Sequence, residues 1–416
     1  MSNKTSTGVG IYFAALQFVF ALCWTVYVIY LPALAARAGI PASAVIWILM
    51  LDQAIFALMD VGMGVAADRL AAAYARLARI VLAVTLASCA AFLLLPFASA
   101  AGWGAAPFVL LIVLWSATSS ALRAPPLVLI GRYAALPGQP WLASLYLFGL
   151  GVAGAVAPFL TVRLRALDPA VPFAAASLSL AAVTLGLAWA ARNLARHASA
   201  PVEARAHGQG ARAAGGGGRA DVAVFLIGAL LAAFGFQLHS ALNSAPAYLR
   251  FAKPADLEQL LPLFWVGFNL AIFPASGLAR RTGSVTVLAA ASTVGALALW
   301  LAARSPSLPA LMAAQVAAGA AWSAVLMSAI AAALALGHTG REGMVNGGFF
   351  GLLAVATFAR MGMVAAQLHQ SAAVSPLLPT LAVLAWAGAA LAFIATWRVV
   401  RHGGPSAAKV ALIGQR

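Results

Sequence analysis

Residues 8–35 read GVGIYFAALQFVFALCWTVYVIYLPALA, an apolar run without an Asp, Glu, Lys or Arg. A helix crossing the hydrocarbon core of a bilayer needs about 20 such residues, so this stretch is long enough to span. Comparable blocks follow at 44–67, 79–101, 105–131, 141–163, 169–193, 221–248, 258–279, 285–303, 308–336, 343–369 and 374–398, twelve in all. The block 308–336 is long enough to begin with a tilt or a short break. Apolar residues make up 64% of the chain and charged residues 8%. A soluble domain carries roughly 25% charged residues, so lipid is the main solvent here. The blocks are continuous, not alternating, which selects helices over a membrane barrel. The fold class is all-α integral membrane, with twelve transmembrane helices. The first block lacks a small-residue cleavage region and reads as a spanning helix, not a removable signal. Cys23 and Cys89 fall inside spans and read as packing residues, not a disulfide or a metal site.

The net charge of +16 invites a nucleic-acid reading, but its placement argues for topology instead. Lys and Arg concentrate in the loops on the side of the N-terminus, as the positive-inside bias requires. That puts both termini in the cytoplasm, while the compact loops and Ala/Arg-rich usage point to a bacterial-type inner membrane. Anionic membrane lipid, not nucleic acid, is the partner of these charges.

Six blocks precede residue 194 and six follow residue 220. Between them, His197–Asp221 reads HASAPVEARAHGQGARAAGGGGRAD, polar, basic and glycine-rich. Such composition buries too little apolar surface to fold, so 194–220 reads as a flexible cytoplasmic linker. The expected units are a bundle over 1–193, a second over 221–402 and a tail over 403–416. Gly64 and Gly277 sit 213 positions apart in corresponding loops, as do Gly8 and Asp221 where the halves begin. Internal repeats of this kind are typical of secondary transporters.

Gly64-Val65-Ala66-Ala67-Asp68-Arg69, followed by Arg76 and Arg79, resembles the cytoplasmic loop motif of the major facilitator superfamily, G-x-x-x-D-R-x-G-R-R. Ala71 stands where that motif has its second glycine, and the second-half copy has Arg281 where the first has Asp68. The resemblance covers roughly 8–402 and implies two pseudo-symmetric six-helix bundles that rock about a central site. It also implies a gating role for Gly64, Asp68, Arg69 and Arg76, with the acid holding the cytoplasmic sides of the halves together. The alternative is a topogenic charge cluster. On physical grounds Gly64 permits close helix approach, and Asp68 can accept from a helix N-terminus or pair with arginine.

Asp52, Asp60, Arg123 and Arg360 lie within spans. A charge at the bilayer centre costs about 2.5–3.5 kcal/mol on insertion scales, so each is a functional candidate. Asp60 and Arg123 sit at similar depth in the second and fourth spans and are expected to pair. Asp52 and Arg360 are level in the second and eleventh spans. The resemblance sets those two helices side by side, so an Asp52–Arg360 lock is expected across the interface. Asp60-x-x-x-Gly64-x-x-x-Asp68 also resembles the second-span pattern of the melibiose permease family, where an acid helps bind the coupling cation. Phe56 and Val61 replace that family's other acid and its proline. A carboxyl in low dielectric can carry a proton, so Asp60 and Asp52 are coupling candidates. A permanent Asp60–Arg123 structural pair is the alternative. Arg123 and Arg360 can each bind a substrate carboxylate or phosphate, or only neutralise an acid. Pro125 and Pro126 are expected to kink the fourth span.

The first span carries Gln17, Trp24 and Tyr27, and the seventh carries Gln237, His239 and Asn243. The resemblance makes these helices line the central cavity, with Asn269 a weaker candidate. Interhelical hydrogen bonds and interfacial aromatic belts are the competing reading. Gly149, Gly151, Gly154 and Pro158 loosely resemble the antiporter motif of drug exporters, and ordinary close packing explains them equally well.

There is no phosphate-binding G-x-x-x-x-G-K-S/T loop, no metal-ligand spacing and no paired catalytic groups in the loops. The reading is a non-enzymatic, cofactor-free, monomeric secondary transporter of a small organic solute. It is expected to be proton-coupled, with organic-anion uptake preferred over drug efflux. A membrane receptor or channel is the rival class.

Overall fold

The structure, a computed structural model, describes residues 3–70, 74–121, 123–134, 138–197, 219–337 and 340–402. Among these the regular structure is entirely helical, in twelve passes. The first half comprises α1 (Asn3–Arg37), α2 (Val45–Leu70), α3 (Tyr74–Ala100), α4 (Ala105–Ala121 and Ala124–Tyr133), α5 (Gln139–Leu164) and α6 (Ala170–Leu185 and Leu187–His197). The second comprises α7 (Arg219–Gln237, Leu238–Asn243 and Ser244–Leu249), α8 (Leu257–Leu260 and Pro262–Thr282) and α9 (Ser284–Arg304). It is completed by α10 (Leu308–Leu336), α11 (Glu342–Ala365) and α12 (Leu378–His402). Eleven passes are long and apolar enough to cross a membrane, and α4 contributes the shorter apolar helix Ala105–Ser120. An even number of passes puts both chain ends on one side, called here the termini side. Most of the expected 194–220 linker, residues 198–218, lies outside the described residues, as does 403–416.

Helices form because a backbone in hydrocarbon must satisfy its own N–H and C=O groups. Their outer faces are apolar. Leu58, Leu178 and Leu391 are 75%, 71% and 69% exposed, a surface that suits lipid and would aggregate in water.

The breaks have local causes. In α4 the second segment opens with Pro125 and Pro126 at its first turn, positions that need no N–H, and Arg123 sits at the junction. In α6 the break falls at Gly186, against which the Tyr12 ring packs while the Tyr12 hydroxyl donates to Val183 O at 2.9 Å. In α7 one π-helical turn spans Leu238–Asn243. By contrast α10 runs unbroken over Leu308–Leu336, without the break its length allows. It is buried nearly throughout, as the central helix of the second half.

The halves meet chiefly along two helix pairs, α2 with α11 and α5 with α8, with smaller contacts of α5 with α10 and of α4 with α11. Gly64 lies against the backbone of Gly343 and Gly347, and Gly347 lies against the Asp60 carbonyl. Toward the other side the approach at the glycine is looser: the nearest α2 atom to Gly362 is the tip of the Met50 side chain. Between α5 and α8, Gly151 and Gly154 receive Phe268, Asn269 and Trp265. The close packing foreseen for these glycines is therefore a contact between halves. Gly149 instead abuts the α1 backbone at Ala14.

Candidate functional site

Two carboxyls of α2 are buried against α4 and α1. The Asp60 side chain is 3% exposed and forms an ion pair with Arg123, Nη2 to Oδ2 at 2.8 Å. Ser120 Oγ donates to the other Asp60 oxygen at 3.0 Å. The Arg123 guanidinium also lies 4.8 Å from the centre of the Phe56 ring. The break in α4 at Arg123 sets this arginine at the depth of Asp60, so the pair expected from depth forms. Phe56, which stands where the melibiose-type pattern has an acid, serves as the aromatic face for the cation.

Asp52 is 0% exposed. Tyr27 Oη donates to its Oδ2 at 2.8 Å, and Ser116 Oγ donates to its Oδ1. Both partners are neutral hydroxyls. The Tyr27 ring packs on Trp115 (4.5 Å between centroids), and Trp24 stacks on Trp115 at 6.1 Å and 13°. Trp24 and Tyr27 thus belong to an aromatic cluster inside the first half. Gln17 and Arg123 line a small cavity there together with Tyr146 and Thr184.

The expected Asp52–Arg360 lock is not formed. Met50 approaches Gly362, which sets Asp52 and Arg360, each two residues inward, at one level. Two residues is also about 200° around a helix, so each side chain turns away from the α2–α11 contact line. Asp52 turns into its own half. Arg360 falls on the face of α11 that carries Asn346, Phe349 and Thr357. Phe349 on that face meets Phe225 of α7, and Thr357 bonds Gln237 of α7. Among the described residues Arg360 has no carboxylate partner, and its Nε is buried without a hydrogen bond.

On the termini side, Asp68 reaches across the interface. Its two oxygens accept the backbone N–H groups of Gly343 and Met344 at 2.7 and 2.8 Å. These are the first-turn amides of α11, which have no partner within the helix and carry the positive end of its dipole. Half-burial pushes the Asp68 carboxyl above its ordinary range, while the two amide donors pull the other way. Arg69 is exposed. The Arg76 side chain lies outside the described residues.

The polar groups of α7 bond within the second half. Gln237 Nε2 donates to Thr357 Oγ1 of α11 at 2.8 Å, and Asn243 Nδ2 donates to Leu378 O of α12 at 3.2 Å. His239 Nε2 lies 2.9 Å from Gln315 Oε1 of α10. Gln315 Nε2 in turn donates to Ser244 Oγ at 3.3 Å, and Ser244 Oγ donates to His239 O at 3.0 Å, closing a ring across the π turn. Asn269 Nδ2 donates to Trp265 O of its own helix at 2.9 Å, and its Oδ1 is buried without a partner beside Gly151. Nothing in the sequence marks Ser116, Ser120, Thr357 or Ser244. Lone hydroxyls in apolar helices carry no pattern, although Ser116 and Ser120 do lie one turn apart on the helix that carries Arg123.

No protein-family profile matches the chain, and no curated protein matches it. Solved structures do. The proton:xylose symporter XylE of the major facilitator superfamily, bound to 6-bromo-6-deoxy-D-glucose, aligns over 96% of this chain and 96% of its own. The identity is 12% and the TM-score 0.67. A bacterial homologue of the iron transporter ferroportin, in an outward-facing state, aligns over 93% and 99% with 13% identity and a TM-score of 0.70. The human organic anion transporter MFSD10 aligns over 94% and 98% with 16% identity and a TM-score of 0.66. What this chain shares with them at such identities is the fold.

Proposed function

We propose, for a chain that carries the major facilitator fold, secondary active transport of a small organic solute by alternating access. The solute is an organic anion and the driving ion is the proton. The protein sits in the inner membrane as a monomer, with both termini in the cytoplasm. Asp68 and Gly64 form the cytoplasmic gate, closed in this conformation.

One observation carries the coupling: Asp52 is fully buried and its partners are hydroxyls, not cations. An unpaired charge in low dielectric is costly, and a proton is the neutralising partner that Asp52 can acquire from water. Asp60 has already been neutralised by Arg123, so of the two acids Asp52 is the proton carrier. Release requires that the halves rock and wet the carboxyl on the other side. Alternating access supplies that wetting.

The test is flux in proteoliposomes containing a pH-sensitive dye, challenged with solutes of different charge. Wild-type protein acidifies the lumen on addition of its solute, and Asp52→Asn does not. Solute entry that proceeds unchanged without any proton movement overturns the coupling. The stacked Trp24–Trp115 pair beside Asp52 favours a second reading, proton-coupled efflux of an amphipathic compound. In that case the same assay shows alkalinisation when solute moves against the proton.

A further inference from the structure

We infer that Arg360, flanked by Thr357 and Gln237, is the subsite that receives a carboxylate group of the transported solute. This rests on the transport reading above and assigns the part of the molecule that recognises charge.

Arg360 is placed for a ligand, not for packing or for the outer interface. On α11 the exposed positions are Met344, Val355, Phe358 and Ala359, and the glycines against α2 are Gly343, Gly347 and Gly351. Arg360 belongs to neither set. It continues the stripe of Asn346, Phe349, Leu353 and Thr357, which faces α7 and the interior. A guanidinium there has lost part of its water, and its Nε has gained no hydrogen bond in exchange. Such a group costs free energy until an anion arrives.

The acids that α2 offers are all engaged elsewhere: Asp52 by Tyr27 and Ser116, Asp60 by Arg123, Asp68 by the α11 amides. Arg123 is unavailable for solute for the same reason. Among the described residues no other acid pairs with Arg360 either, and the partner assigned to it here is the solute.

The neighbours define the ligand's charge. Thr357 accepts from Gln237 and donates to Leu353 O at 2.9 Å, which leaves the second amide N–H of Gln237 for an anion. One guanidinium with neutral donors beside it balances one unit of charge. A carboxylate carries one. A phosphate monoester carries about −1.5 to −2 at neutral pH and would want a second cation. The planar fork of arginine also matches the two carboxylate oxygens. Arg360 and Asp52 lie at one level on opposite sides of the α2–α11 contact. A carboxylate on the first and a proton on the second neutralise both groups in the loaded state.

The test is binding to the purified full-length protein in detergent, which needs no gradient and so fails or succeeds independently of flux. Thermal-shift titrations use sodium benzoate, lactate and succinate, with glucose and glycerol 3-phosphate as comparators. At least one carboxylate stabilises the wild type. Arg360→Gln keeps the unliganded melting temperature and weakens that response by about tenfold or more, the loss expected for a charge-assisted bidentate contact. Arg360→Lys keeps the charge without the fork and is intermediate. A carboxylate response that survives in Arg360→Gln, or a panel in which only glycerol 3-phosphate, only glucose or nothing stabilises the protein, overturns the assignment. Should Arg360→Gln fail to fold, Arg360→Lys decides on the same terms, with an unchanged response overturning it.

Discussion

The carboxylate of Asp68 holds the backbone N–H of Gly343 at 2.7 Å, joining residues 275 positions apart in the chain. The same carboxylate takes the next amide, Met344, so one side chain of α2 caps the first turn of α11. The contact exists only while the termini-side ends of the two helices are together.

Asp68→Ala removes two charge-assisted hydrogen bonds, each worth about 1.5–3 kcal/mol when made to a charged group. The expected result is a population shift of at least tenfold toward conformations open on the termini side. Spin-label distances between the ends of α2 and α11 report it. A distance distribution identical to wild type removes Asp68 from the gate.

Gly64 and Gly62 lie on the same helix and separate packing from propensity. A Cβ at Gly64 meets the Gly343 carbonyl, whereas a Cβ at Gly62 meets nothing within 4 Å. Gly62→Ala is expected to be neutral or stabilising by up to about 1 kcal/mol through helix propensity. Gly64→Ala is expected to separate α2 from α11 and lower the melting temperature. Equal melting temperatures for the two variants contradict the backbone contact.

Breaking the Asp60–Arg123 pair leaves an uncompensated buried charge. Arg123→Gln alone is expected to cost about 3–5 kcal/mol. The double variant Asp60→Asn with Arg123→Gln restores most of that, because both charges are gone and the Ser120 hydroxyl still has an acceptor. Chemical denaturation of the purified protein gives the comparison. A double variant as unstable as the single one shows that more than charge pairing holds the site.

Asp52→Asn keeps an oxygen to accept from Tyr27 or Ser116 and removes the titratable proton. Stability close to wild type is expected, with solute exchange retained and gradient-driven accumulation lost. Counterflow and uphill uptake, measured side by side in proteoliposomes, distinguish the two activities. Uphill uptake at the wild-type rate excludes Asp52 as the proton carrier.

Much of this was legible in the chain because its physics is one-dimensional. Lipid allows helices and little else, so apolar block length alone counts the passes. Depth is also linear, at 1.5 Å per residue, which is why the sequence alone puts Asp60 and Arg123 level. The same reasoning failed for Asp52 and Arg360, which share a level but not a direction. Direction depends on how each helix is rotated against its neighbours, and that is set by which small residues meet. Gly64 settles on Gly343 and Gly347, and the rotation so fixed sends Asp52 into one half and Arg360 into the other.

The hydroxyl partners were invisible for a related reason. Ser116, Ser120 and Thr357 are ordinary residues of apolar helices until a neighbouring helix brings a carboxylate or an amide to them. The π turn of α7 has no composition of its own, and it closes through Gln315, some 70 residues away. Sequence by itself determined the solvent, the number of passes, the repeat and the short list of costly charges. Each of these follows from transfer free energy summed along the chain. Only the tertiary structure decided which charges neutralise one another and which are left waiting, because electrostatic pairing depends on distance and direction in three dimensions.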